Sequence, residues 1–173
     1  MRTYAKRGFT LIELLVVIAI IGLLSTLAVV AMSNARQKAR DAKRVSDIKQ
    51  IQSALDLYAT DKNGYPADET DGATGIVLGS AGAKCVSDVE GLNATCTGNV
   101  YMANVPSNPT PGGASYTYLS KKADATDCNA ADAPCVNYNI TFTLEADTGE
   151  LKDGADANKT PDCTATSGGI TCT

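Results

Sequence analysis

Apolar side chains fall along this chain in two successive patterns, a continuous run and then a periodic stripe. From residue 9 to residue 32 the only charge is Glu13. At about 1.5 Å per residue, a helix of that length crosses a hydrocarbon layer roughly 30 Å thick. Beyond it Ala35, Ala39, Ala42, Val45, Ile48, Ile51, Leu55 and Tyr58 recur at spacings of three and four. That predicts an amphipathic continuation of the same helix over residues 33–62. Asn63-Gly64 offers a left-handed cap just after Lys62, and Pro66 cannot continue a helix. The result is one helix of roughly 80 Å, and its stripe from Val45 to Tyr58 needs a surface to cover it.

Strand signals follow. Segments 100–105, 115–120, 136–145 and 150–152 contain β-branched or aromatic residues, and Tyr138, Ile140, Phe142 and Leu144 alternate as on a sheet with one buried face. Segments 136–145 and 150–152, joined through Ala146-Asp147-Thr148-Gly149, read as a hairpin. Residues 68–83 and 153–173 lack periodicity and read as loops. The fold class is therefore α+β, a long N-terminal helix followed by an antiparallel β head.

Composition places the head outside a reducing compartment. Cys85, Cys96, Cys128, Cys135, Cys163 and Cys172 are even in number and all lie well beyond the helical segment, as an oxidising environment favours. The chain has no histidine and no C-x-x-C, which argues against zinc. Six cysteines allow fifteen complete pairings. Neighbour pairing, Cys85 with Cys96, Cys128 with Cys135 and Cys163 with Cys172, is the expectation, because each pair closes a small loop in a region poor in apolar residues. Free buried thiols are the alternative. The 141 residues after position 32 suffice for one modest domain.

Charge is uneven. Residues 33–50 hold six basic side chains (Arg36, Lys38, Arg40, Lys43, Arg44, Lys49) against Asp41 and Asp47, while residues 51–173 hold six basic and sixteen acidic. The basic collar serves either to bind anionic headgroups or as a solvated helix face. Its charge of +4 exceeds the +3 of residues 1–8, so a simple positive-inside count puts the C-terminus in the cytoplasm. The distal cysteines argue for export and override that count. An acidic head disfavours nucleic acid as a partner, and no phosphate loop or nucleophile signature is present. Asn93-Ala-Thr95, Asn139-Ile-Thr141 and Asn158-Lys-Thr160 fit the glycosylation acceptor pattern, as a chain rich in Asn and Thr does by chance.

Residues 1–8 carry Arg2, Lys6 and Arg7 and end in Gly8, ahead of Phe9-Thr10-Leu11-Ile12-Glu13-Leu14. An ordinary secretory signal has a shorter apolar core that ends at a small-residue cleavage site. The pattern here instead resembles the class III signal of type IV pilins and the major pseudopilins of type II secretion, and Asn63-Gly64-Tyr65-Pro66 at the helix exit is similar to the same group. The resemblance implies removal of leader 1–8 by a prepilin peptidase cutting between Gly8 and Phe9, with N-methylation of Phe9. It implies a transmembrane and filament-core helix over 9–32, an amphipathic continuation over 33–62, and a disulfide-bonded β head with a loop-rich tail over 63–173. In that family the glutamate corresponding to Glu13 pairs with the N-terminal amine of a neighbouring subunit, here Phe9. Independently, a carboxylate inside a spanning segment costs on the order of 2–3 kcal/mol, so Glu13 either meets a cation or sits among headgroups.

Two features depart from the family: no proline stands near Val30, and only Gly22 loosens the buried half of the helix. The run Asp147, Glu150, Asp153, Asp156 and Asp162 is a weak match to the calcium loop of secretion pseudopilins and lacks EF-hand spacing. The expectation is no cofactor, calcium being the one candidate. Function is expected to be structural rather than enzymatic, as a subunit of a type IV pilus-like filament. The alternatives are a secretion pseudopilin and a minor pilin or adhesin acting as a tethered binding module. Expected partners are further copies of the chain, prepilin peptidase, the assembly platform with its ATPase, and the membrane before assembly. The expected location is the cytoplasmic membrane with the C-terminus outside, then an extracellular pilus or a periplasmic pseudopilus.

Overall fold

The computed structural model describes residues 8–68, 74–111, 114–145 and 162–172. Helix α1 runs Leu11–Lys62. By compactness the chain divides into two units between Gln37 and Lys38.

In the first unit the helix stands exposed along its length. Leu11, Leu14, Leu23 and Leu27 are 80%, 61%, 66% and 63% exposed. By length and composition this helix is able to cross a membrane.

In the second unit the helix from Lys38 joins eight strands: β1 Ile76–Val77, β2 Cys85–Ser87, β3 Gly91–Asn93, β4 Val100–Met102, β5 Thr117–Lys121, β6 Asn137–Thr143, β7 Asp162–Thr166 and β8 Gly169–Cys172. One sheet has the order β1-β5-β6-β7-β8 and the other β3-β2-β4, with every pairing antiparallel. The core forms where Ile48, Ile51 and Leu55 of α1 meet Tyr116, Tyr118, Tyr138, Ile140 and Phe142. Tyr138, Ile140, Phe142 and Leu144, the alternating set, are all buried.

Asn63, at φ 59°, ends the helix. Gly64 follows because a Cβ there would lie 2.5 Å from Pro134 Cβ and 2.8 Å from the Cys135 carbonyl oxygen. Tyr65 N–H then donates to that same carbonyl at 2.8 Å. The helix exit is thus stitched to the loop closed by Cys128–Cys135. The other disulfides are Cys85–Cys96 and Cys163–Cys172.

Three expectations need correction. The apolar stripe does not lie on one face: Ala35, Ala39 and Ala42 are exposed, while Asp41 and Arg44 are fully buried. Each three-residue step turns a helix only about 300°, so the steps from Ala42 through Val45 and Ile48 to Ile51 carry the stripe to the opposite side. Second, part of the tail expected as loop is the β7–β8 hairpin, with Cys163 opposite Cys172. Its inward residues Cys163 and Ala165 are too small to give a strong apolar alternation. Residues 150–152 and the turn proposed to join them to 136–145 lie outside the described residues, among which β6 is flanked by β5 and β7. The strands at 85–87 and 91–93 gave no sequence signal, being three residues each. Third, the expected loop 68–83 contains the two-residue β1.

Candidate functional site

Gly8 and Phe9 lie exposed ahead of the helix, and Phe9 is 86% exposed. Thr10 immediately precedes the first helical residue. Its hydroxyl accepts from Glu13 N–H at 3.3 Å, and its own N–H and hydroxyl donate to Glu13 Oε2 at 2.8 and 2.7 Å. This reciprocal arrangement is a capping box. Sequence reasoning treated Glu13 as an isolated charge seeking a cation and passed over Thr10. The signal was the T-x-x-E spacing ahead of an apolar run. Glu13 therefore has a role within its own chain, satisfying donors at a helix N-terminus whose dipole favours a negative group. Gly8, Phe9 and Glu13 fall together at this end, whereas the six cysteines form three separate clamps in the β head.

The basic collar is divided. Arg40 pairs with Glu145, and Arg44 pairs with Asp41 and with Glu145. Arg44 also donates to Asn108 Oδ1 at 2.7 Å and to the Pro109 carbonyl at 3.3 Å, while Glu145 N–H donates to Asp41 Oδ1 at 2.9 Å. The hydrogen bond from Arg40, and then the Arg44 guanidinium, hold Glu145 down at about 2. These two arginines fasten α1 to the chain beyond β6, and Arg36, Lys38, Lys43 and Lys49 alone stay exposed.

Near the helix end Tyr58 and Tyr101 meet edge to face at 5.9 Å. Tyr101 donates to Asp61 Oδ2 at 2.5 Å. That hydrogen bond, with burial and the nearby Asp61 and Asp88 charges, pushes the Tyr101 phenol up to about 12. A groove of about 430 Å³ opens beside it, lined by Tyr58, Tyr65, Pro66, Val89 and Pro134 among others. Of the candidate calcium run only Asp162 falls within the described residues, and among those residues no cluster of three potential ligands occurs. The Asn158 acceptor triplet lies outside them.

Residues 4–29 match the prokaryotic N-terminal methylation motif. The chain is 48% identical to the type II secretion system core protein G of Pectobacterium carotovorum over 66 residues, 38% of this chain and 42% of that protein. It is 28% identical to fimbrial protein Q of Moraxella bovis over 147 residues, 83% of this chain and 82% of that protein. With the core protein G of Dickeya chrysanthemi it shares 36% identity over 115 residues, 66% of this chain and 69% of that protein. The chain belongs to the type IV pilin and type II secretion pseudopilin family. This is a family of structural subunits, and the apolar helix followed by antiparallel sheets has the pilin-like plan. The chain spans under half the length of relatives such as the Pectobacterium pseudopilin. No solved structure matches it.

Proposed function

We propose that this chain is a structural subunit of a pilus-like filament, acting by self-assembly rather than by catalysis. The observation that carries the reading is the exposed apolar helix, opened by the Thr10–Glu13 cap and followed by a head with three disulfides. An apolar surface of this extent calls for lipid or for other chains. Prepilin peptidase cuts the exposed Gly8–Phe9 bond, and residues 9–32 hold the mature chain in the cytoplasmic membrane with the head outside. The assembly machinery then extracts the subunits, and their helices pack together in place of lipid. In that packed core Glu13 Oε2 stays with Thr10, and the carboxylate as a whole receives the Phe9 amine of a neighbour.

A pseudopilus of type II secretion is the second reading, favoured by the identity to the Dickeya core protein G. Mass spectrometry is expected to find a mature chain that begins at N-methylated Phe9, and electron microscopy to find filaments containing it. An uncleaved chain that stays monomeric would overturn the proposal. Deleting the gene separates the two readings: a pseudopilin is needed for export of periplasmic enzymes, and a pilin is not.

A further inference from the structure

Within the unit that begins at Lys38, charge is separated along α1. Lys38, Lys43 and Lys49 are exposed and form no ion pair among the described residues. Further along the helix, Asp61 and Asp88 flank the Tyr58–Tyr101 pair, and the partners they have there are uncharged. Asp61 accepts from the Tyr101 hydroxyl, and Asp88 accepts from Asn99 N–H at 2.8 Å and Asn99 Nδ2 at 3.1 Å. Hydrogen bonds of this kind leave the negative charge in place. One stretch of the helix therefore presents three lysines, and the corner beyond it presents two carboxylates beside the exposed Lys62, a net negative charge.

The basic stretch also has a shaped surface. A groove of about 440 Å³ is lined by Ala42, Val45, Ser46, Lys49, Gln50 and Ser53. Ala42, Ser46, Lys49, Gln50 and Ser53 are exposed there, and Val45 at the groove's edge is half-buried against the core. The acidic corner has matching apolar projections: Val89 is 65% exposed and Val100 is 44% exposed, each adjacent in sequence to Asp88 or Tyr101.

We propose that the groove over Ala42, Ser46 and Ser53, with Lys49 at its rim, seats the Asp61 and Asp88 corner of a second copy of this chain. The proposal rests on the filament-subunit reading and names the contact by which neighbouring heads hold one another. Small side chains let the incoming corner approach the helix backbone, Val89 and Val100 fill the floor, and the lysine and the carboxylates form a charged rim. The two surfaces are different patches of one molecule, so the contact is heterologous. Lys49 and Asp61 are separated by about 18 Å along the helix, and docking one on the other shifts the second copy axially. A shift of that kind propagates, whereas an isologous contact would stop at a dimer.

Charge reversal in cells that assemble the wild-type chain tests the contact. Lys49→Glu sets like charges opposite one another and is expected to lower the yield of sheared filaments by about tenfold or more. Asp61→Lys should do the same, and the double variant should recover to within about threefold of wild type. Wild-type yields from both single variants, or no recovery in the double variant with its melting curve intact, would overturn the contact while leaving the filament reading standing. A second measurement does not depend on filaments. Full-length chains labelled with ¹⁴N and ¹⁵N are mixed in detergent and joined with a carbodiimide. A cross-link from Lys43 or Lys49 of one label to Asp61 or Asp88 of the other supports the contact, even where no filament forms and the filament reading fails. Cross-links confined to single copies, or Lys49→Glu loss of binding to phosphatidylglycerol vesicles without that cross-link, would assign the face elsewhere and overturn it.

Discussion

Two residues carry more than their sequence positions suggested. Glu13 is both the charge in an apolar run and half of a capping box, and Thr10 separates those roles. Thr10→Ala removes the hydroxyl partner but keeps the carboxylate, at a cost of about 1 kcal/mol at the helix N-terminus. Filament yield from Thr10→Ala is therefore expected to stay near wild type, while Glu13→Ala abolishes assembly. Equal losses in both, scored by electron microscopy, would make the cap rather than the charge the requirement. Arg44 teaches a related lesson. A run of basic residues beside an apolar segment reads as a solvated or lipid-facing collar, yet Arg44 is fully buried between Asp41 and Glu145. Its one sequence signal is Asp41 three residues earlier, since Glu145 lies 101 positions further along the chain and no local pattern joins them.

At the scale of elements, period and punctuation were legible where side chains are large. The α1 terminus was written in Asn63-Gly64 and Pro66, and β6 in its four alternating apolar residues. The β7–β8 hairpin was not, because Cys163 and Ala165 bury little area and the outward positions of β7 are Asp162, Thr164 and Thr166. Its stability is expected to lean on the disulfide instead. Replacing Cys163 and Cys172 together by serine removes a cross-link closing a short loop, at a cost of about 2–3 kcal/mol. Denaturant melts of the oxidised protein and the double variant measure that difference. A loss near zero would mean that the β6–β7 ladder holds the hairpin alone.

For the molecule as a whole, the carboxylates of the head set its response to acid. Glu145 is held at about 2, chiefly by the Arg40 hydrogen bond, and Glu90 at about 2, chiefly by the Thr97 hydroxyl. Both lie below the ordinary 4.5, so the stabilisation from their ionised forms is complete above that value and is lost as pH falls through about 2. Asp47 works in the opposite direction. Burial raises its carboxyl, more than Lys43 and the Tyr116 hydroxyl lower it, so its charge opposes folding at neutral pH and protonation relieves that cost. Thermal melts are expected to be flat near neutral pH and to fall steadily below about pH 4.5. Glu145→Gln should flatten that acid limb, and Asp47→Asn should raise the melting temperature at pH 7 by a few degrees. An acid limb unchanged in Glu145→Gln would remove the Arg40–Arg44 cluster from this account.

By itself the sequence determined the apolar helix, its termination after Lys62, the α+β class and the family, because each depends on contiguous residues: an uninterrupted run, a turn dipeptide, a period, a short motif. Tertiary structure alone decided which side of α1 faces the core below Ile48, which arginines are paired, and which strand neighbours β6. Those outcomes depend on groups brought together across dozens to more than a hundred positions. A helix whose stripe slips about 60° at every three-residue step does not declare its buried face until a sheet has covered it.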